Sequence, residues 1–113
     1  MTALPVAILM VTYDSAADLP GSFAAIAALS PPPAELVIVD CASRDGSANE
    51  ARRHLPPGIP ATVEALTENR GFTGGMNRAL ALSTAPFVLT LNADVRMTPD
   101  FLAPLVARLD GPE

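Results

Sequence analysis

Asp40 directly follows the apolar run Leu36–Val39, and Asn92 and Asp94 flank Ala93 at the end of another, Phe87–Leu91. A carboxylate fixed at the end of a buried strand can accept hydrogen bonds from a nucleobase N–H or a ribose hydroxyl, although Asp40 could equally do no more than cap its own turn. An amide and a carboxylate two residues apart are hard oxygen donors suited to Mg²⁺ or Mn²⁺ bridging to a diphosphate, though Asn-x-Asp is also common in turns. Gly71-Phe72-Thr73-Gly74-Gly75 opens a helical stretch with three glycines in five positions. A helix start needs one glycine at most, and the excess would let a ligand approach the helix N-terminus closely.

Alternating strands and helices must position these groups. Val6–Val11 is a continuous run of branched apolar residues, as expected of a strand covered on both faces. Leu19, Phe23, Ile26 and Leu29 recur at helical spacing, with Asp18 as the cap and Pro31-Pro32-Pro33 as the stop, which predicts a helix over 19–29. Leu36–Val39 is the second strand. Ser47 caps a short helix through His54, which Pro56-Pro57 ends. Ala61–Leu66 is a third strand, weakened by Glu64. The stretch 72–83 is a helix with Phe72, Met76, Leu80 and Ser83 on one face. Phe87–Leu91 is the fourth strand, and Pro99 begins a last helix carrying Phe101, Leu102, Leu105, Val106 and Leu109. Four strand–helix alternations predict an open, mainly parallel, Rossmann-like α/β sheet of about four strands with helices on both faces. Ligands of such sheets bind beyond the carboxyl ends of the strands, where the polar residues of this chain gather in four clusters.

Composition narrows the chemistry. The chain has 113 residues, half of them hydrophobic, with 7 basic and 12 acidic side chains and a net charge of −5. That is one domain, 1–113, with enough apolar content to bury a core. All seven basic residues are arginines scattered from Arg44 to Arg108, which leaves no electrostatic footprint for nucleic acid or an anionic membrane. The absence of lysine excludes a phosphate-binding P-loop. The turn after the first strand has no glycine, which argues against a dinucleotide fingerprint. His54 is the only histidine, and no serine or cysteine sits in a nucleophile elbow. Cys41 stands alone, in keeping with a reducing compartment and a cytoplasmic protein, and no stretch is long enough to span a membrane.

In chain order, VTYD (11–14), VDCASRDGS (39–47), ENRGFTGGMNRAL (68–80) and LNADV (91–95) resemble the successive nucleotide-binding motifs of the family 2 glycosyltransferases of the GT-A fold. The similarity is strongest to a bacterial, rhamnosyltransferase-like subgroup and runs from residue 5 to about residue 109. It implies that this is the nucleotide-binding N-terminal half of the fold, with a UDP- or dTDP-sugar as ligand. Thr12 and Tyr13 would line the nucleoside pocket with Asp14 beside them, and Asp40 would bind the base. Asn69, Gly71, Gly74 and Asn77 would shape the ribose and diphosphate floor, with Arg70 or Arg78 reaching base or phosphates. Asn92 and Asp94 stand where the family has its metal motif, with Asp94 as the ligand of Mg²⁺ or Mn²⁺. The metal would neutralise the leaving diphosphate while an acceptor hydroxyl attacks the anomeric carbon in an inverting transfer serving polysaccharide assembly.

The chain departs from the family at three points. Cys41 and Asp14 each replace an asparagine, and Cys41 is expected to act as a small apolar filler. Family enzymes are also about twice this length or more, so the acceptor pocket and the carboxylate base are expected beyond the chain end and complete transfer is not expected. A different class of reading is a non-catalytic α/β module kept for assembly. Because the strands that cover its edge in the family are expected beyond the chain end, the fourth strand, Pro86–Leu91, is expected to present an open edge and apolar surface, and self-association as a homodimer is expected there.

Overall fold

A computed structural model describes residues 2–110 of the chain. The elements are β1 (Leu4–Thr12), α1 (Leu19–Ala27), β2 (Pro33–Asp40), α2 (Ser47–Arg53), β3 (Ala61–Ala65), α3 (Gly71–Leu82), β4 (Phe87–Thr90) and α4 (Leu102–Asp110). All strand pairs are parallel, in the order β3-β2-β1-β4. The expected α/β architecture is therefore present. Its chemistry follows from the sequence: Val6–Met10 and Leu36–Val39 are at most 2% exposed, so β1 and β2 are apolar on both faces and can only be interior strands.

The pleat divides the core. Val6, Ile8, Met10, Leu36 and Ile38 face α1, α2 and α4, represented by Leu19, Phe23, Ile26, Ala51, Leu102 and Val106. Ala7, Leu9, Val37 and Val39 face α3 alone, through Met76 and Ala79. No helix among the described residues is long and apolar enough to cross a membrane.

Several local expectations are corrected. On α3 the buried residues are Gly75, Met76 and Ala79, whereas Phe72 is 57% and Leu80 44% exposed. Close approach rather than side-chain volume decides this face. A Cβ at Gly75 would lie 2.8 Å from Val11 Cγ1 and 2.9 Å from Cys41 Sγ. Gly75→Ala should accordingly overpack the contact, cost about 1–3 kcal/mol and lower Tm by roughly 5–15 °C in a thermal melt; an unchanged Tm would contradict this packing.

The last helix starts at Leu102, not Pro99, with Leu102 and Val106 buried and Phe101, Leu105 and Leu109 exposed. Pro104 explains the shift. In a helix beginning at 102 it occupies the first turn, where the missing N–H has no intrahelical partner to lose. Neither expected cap operates: Asp18 makes no side-chain capping bond, and Ser47 is the first helical residue behind Gly46, which adopts φ +82°. β3 is short because it is an edge strand, and Glu64 is tolerated there by pairing outward with Arg78.

Candidate functional site

The chain builds β1, β2 and β3 outward in one direction and then returns to lay β4 on the other side of β1. This reversal opens a crevice beyond the carboxyl ends of β1 and β4, where open α/β sheets take their ligands. Two hollows lie along that rim. One, of about 350 Å³, is lined by Val11, Tyr13, Asp14, Ser15, Asp18, Asn92, Ala93 and Asp94. The other, of about 240 Å³, is lined by Val11, Tyr13, Cys41, Asn69, Gly71 and Phe72. Val11 and Tyr13 line both, so the two hollows adjoin along the groove.

Hydrogen bonds between side chains and backbone, about thirty residues apart, fix the first wall of the groove. Asp14 N–H donates to Ser43 Oγ at 2.8 Å, and Arg44 N–H returns a bond to Asp14 Oδ1 at 2.9 Å. Ser15 N–H donates to Ser47 Oγ at 2.8 Å and Ala16 N–H to Asp45 Oδ2 at 3.0 Å. Asp14 sits at φ +50°, a left-handed conformation that Asp tolerates better than most residues, like the Asn it replaces. Beneath this zipper Asp40 is 2% exposed. Its Oδ1 accepts the Thr12 and Ser43 hydroxyls, both at 2.6 Å, and its Oδ2 accepts Ser43 N–H at 3.0 Å.

Burial pushes the Asp45 carboxyl up, but bonds from the Ser47 hydroxyl and the Ala16 and Ser47 amides outweigh it and hold the pKa below the ordinary carboxylate value. A depressed folded-state pKa stabilises the fold above the unfolded value and loses that contribution as pH falls through the folded one. The Asp45 contribution should therefore be present above the ordinary carboxylate value of about 4 and be lost progressively as pH falls from there through the lower folded value. Asp45→Asn should flatten this part of an acid-unfolding curve; an unaltered curve would exclude the contribution.

The second hollow floor is built by a different device. Asn69 Oδ1 accepts Gly71 N–H at 2.8 Å, and Gly71 takes φ +72° as it leads into α3. Gly74 gives room to Arg70, whose Cβ would be 2.6 Å from a Cβ there. Tyr13 and Phe72, 49% and 57% exposed, frame this hollow with two aromatic rings and so offer stacking faces for a planar group. Cys41 closes its base, with burial pushing the thiol pKa up, the Asp40 charge adding to this and a backbone bond from Arg70 opposing it. It remains a thiol and acts as a filler, as expected.

The fold thus gathers Tyr13, Asn69 and Gly71 in one hollow and Tyr13, Asp14, Asn92 and Asp94 in the other. Thr12 and Asp40 lie buried beneath the rim. Arg70 is exposed and paired with Glu68 at 3.5 Å. Arg78 is turned to β3, where it binds Glu64 through two nitrogens, with Nη2 2.8 Å from Oε1. That bond raises the arginine pKa and lowers the glutamate one. Asn77 is exposed, and neither it nor Gly74 borders a hollow. Phe72 is a wall residue that the site reading of the sequence does not include; its place directly after the Gly71 turn is the available signal.

Asn92 and Asp94 are exposed, and their side chains make no bond to the described protein. The donor set fits a hard divalent cation held in part by a ligand: among the described residues no three His, Cys, Asp or Glu side chains gather into a complete metal cage. Mg²⁺ in particular is usually held by one or two carboxylates plus phosphate oxygens. Asp14, Asp18 and Asp94 line the same hollow with no cationic side chain among the lining residues.

Residues 7–113 match the family described as Glycosyl transferase family 2. The chain is 33% identical over 103 residues to the succinoglycan biosynthesis protein ExoU of Rhizobium meliloti, an alignment covering 91% of this chain and 30% of that one. Among solved structures it superposes with a TM-score of 0.87 on the mannosyltransferase PcManGT from Pyrobaculum calidifontis, in complex with GDP-Man and Mn²⁺. That pair is 30% identical over 99% of this chain and 34% of the other. Mannosyl-3-phosphoglycerate synthase from Rubrobacter xylanophilus follows the same fold with a TM-score of 0.70 and 28% identity, over 96% of this chain and 36% of that one. The chain therefore spans about a third of these proteins' lengths.

Proposed function

The chain belongs to glycosyl transferase family 2, and from that membership we propose that the groove binds a nucleoside diphosphate sugar together with Mg²⁺ or Mn²⁺, as the donor side of an inverting sugar transfer. The observation that carries this reading is the pairing of an aromatic-framed hollow with an acidic one that holds two unpartnered oxygen donors, Asn92 and Asp94. The base would lie between Tyr13 and Phe72, over Asn69 and Gly71. The diphosphate would run past Val11 and Tyr13 toward Asp94. When bound there, the cation supplies charge neutralisation for the departing diphosphate. Asp40 and Thr12 then act from below, keeping the strand ends in register. The likeness to PcManGT, whose structure holds GDP-Man and Mn²⁺, supports this class of ligand. The rhamnosyltransferase-like motifs favour a UDP- or dTDP-sugar, and ExoU favours a role in polysaccharide biosynthesis. The buried free thiol of Cys41 fits a cytoplasmic site of action.

Titration calorimetry with UDP, dTDP and GDP, each with Mn²⁺, with Mg²⁺ and with chelator, tests the proposal. Binding strengthened by the cation is expected; no heat with any of the three, on protein shown folded by circular dichroism, would overturn it in favour of a non-catalytic module.

We further propose self-association through the free edge of β4. Among the described residues this strand pairs with β1 alone, and beside it Val88, Leu105 and Leu109 are 40%, 41% and 60% exposed around an apolar cleft of about 270 Å³. Exposed apolar strand edges template pairing with a second copy. Sedimentation should show a concentration-dependent dimer, and a clean monomer at high concentration would refute it.

A further inference from the structure

We infer that Arg96 is a positioning residue for the turn that presents Asn92 and Asp94. Because neither side chain is held by another group among the described residues, the backbone of the turn is what sets where the two side chains start and the region their oxygens can reach. Ala93 and Met97 anchor that backbone in the core, at 7% and 8% exposure, and Val95 N–H closes it on Asn92 O at 3.1 Å. Nothing in this set fixes the turn against the opposite wall of the crevice. Arg96 does so.

Its Nη1 donates to Ala93 O at 3.0 Å and to Val95 O at 3.4 Å, while Nη2 donates to Asp18 O at 3.0 Å. Asp18 O is also the first carbonyl of α1, accepting Ser22 N–H at 3.0 Å. One planar guanidinium therefore ties the β4 turn to the start of α1 across the point where the sheet reverses. Lysine, with a compact single ammonium, cannot span both carbonyls in this way. The fold also makes room for it: at Gly21 a Cβ would stand 2.9 Å from both Nε and Nη2 of Arg96. Gly21 is neither at positive φ nor at a turn, so the guanidinium itself accounts for the missing side chain.

The consequence for ligand binding rests on the proposed function, but the positioning does not. Two readouts keep them apart. Hydrogen exchange of segment 92–97 in the free protein should accelerate in Arg96→Ala, in Arg96→Lys and in Gly21→Ala, where the arginine is intact but displaced. The gain in UDP, dTDP or GDP affinity on adding Mn²⁺ should fall about tenfold, the scale at which groups that orient a metal ligand act. Affinity measured in chelator should stay near that of the unmodified protein, which a general loss of structure would not allow. The double variant Arg96→Ala with Gly21→Ala should be no worse than Arg96→Ala alone. Unchanged exchange in Arg96→Ala and Arg96→Lys would overturn the inference, as would an undiminished Mn²⁺ gain. If the unmodified protein binds no nucleotide while exchange accelerates in the variants, the positioning role stands and the functional proposal falls.

Discussion

Asp94→Ala should remove nearly all of the Mn²⁺-dependent gain in nucleoside diphosphate affinity, a loss on the order of 100-fold, while leaving binding in chelator close to unchanged. The size follows from what the carboxylate does in the proposed site. It is the one carboxylate of the β4 turn, its side chain has no partner among the described residues, and the other side-chain oxygen donor on that turn is the neutral amide of Asn92. Removing a metal's charged ligand forfeits several kcal/mol of charge stabilisation, and each 1.4 kcal/mol is about a factor of ten. Folding stability should move little, because an exposed side chain without bonds contributes little to it. Paired titrations with Mn²⁺ and with chelator, beside a thermal melt, check all three statements. Retention of the full Mn²⁺ gain in Asp94→Ala would move the cation site elsewhere.

Asp40→Ala should have the opposite profile: a loss of about 3 kcal/mol in stability, seen as a fall of roughly 10–20 °C in Tm, with weaker nucleotide binding as its by-product. The buried carboxylate accepts two hydroxyls and one amide. Bonds to a charged acceptor contribute about 1.5–3 kcal/mol each at most, and every buried donor left unpaired costs about 1–3 kcal/mol. Thr12, itself fully buried, donates its hydroxyl to Asp40. For a domain stable by about 5–15 kcal/mol that is a large share. The melt separates two roles that the position of Asp40 in its motif does not. A variant that keeps its Tm and loses nucleotide binding would make Asp40 a direct ligand of the base.

The architecture was legible because interior parallel strands must be apolar on both faces, and Val6–Val11 and Leu36–Val39 advertise that with no alternation. The polar clusters were legible as one rim for the same topological reason. What escaped had identifiable causes. On α3 the hydrophobic signal is carried by Phe72 and Leu80, whereas the contact with β1 and β2 is made by Met76 together with Gly75 and Ala79, two residues whose value lies in what they lack. Arg78 looked available because Glu64 registered as an interruption of a strand, and only the fold puts the two side by side. Ser47 looked like a cap because its commitment to Asp45 and to the Ser15 amide joins residues from separate loops. Arg96 left no trace at all, since its partners are carbonyl groups that every residue possesses.

The strand order also dictates a schedule of assembly. β1 meets β2 through pairs such as Thr12 and Asp40, 28 positions apart, and the zipper between their loops closes over similar separations. β4 reaches β1 through Leu9 and Thr90, 90 − 9 = 81 positions apart. Closing the longer loop costs more chain entropy, and pairings of high contact order form late. A nascent chain can thus complete the Asp14–Ser43 wall while the segment carrying Asp94 is still unstructured. The hollow framed by Tyr13 and Phe72 is built from segments that precede β4, and the turn carrying Asn92 and Asp94 joins it only when β4 docks on β1.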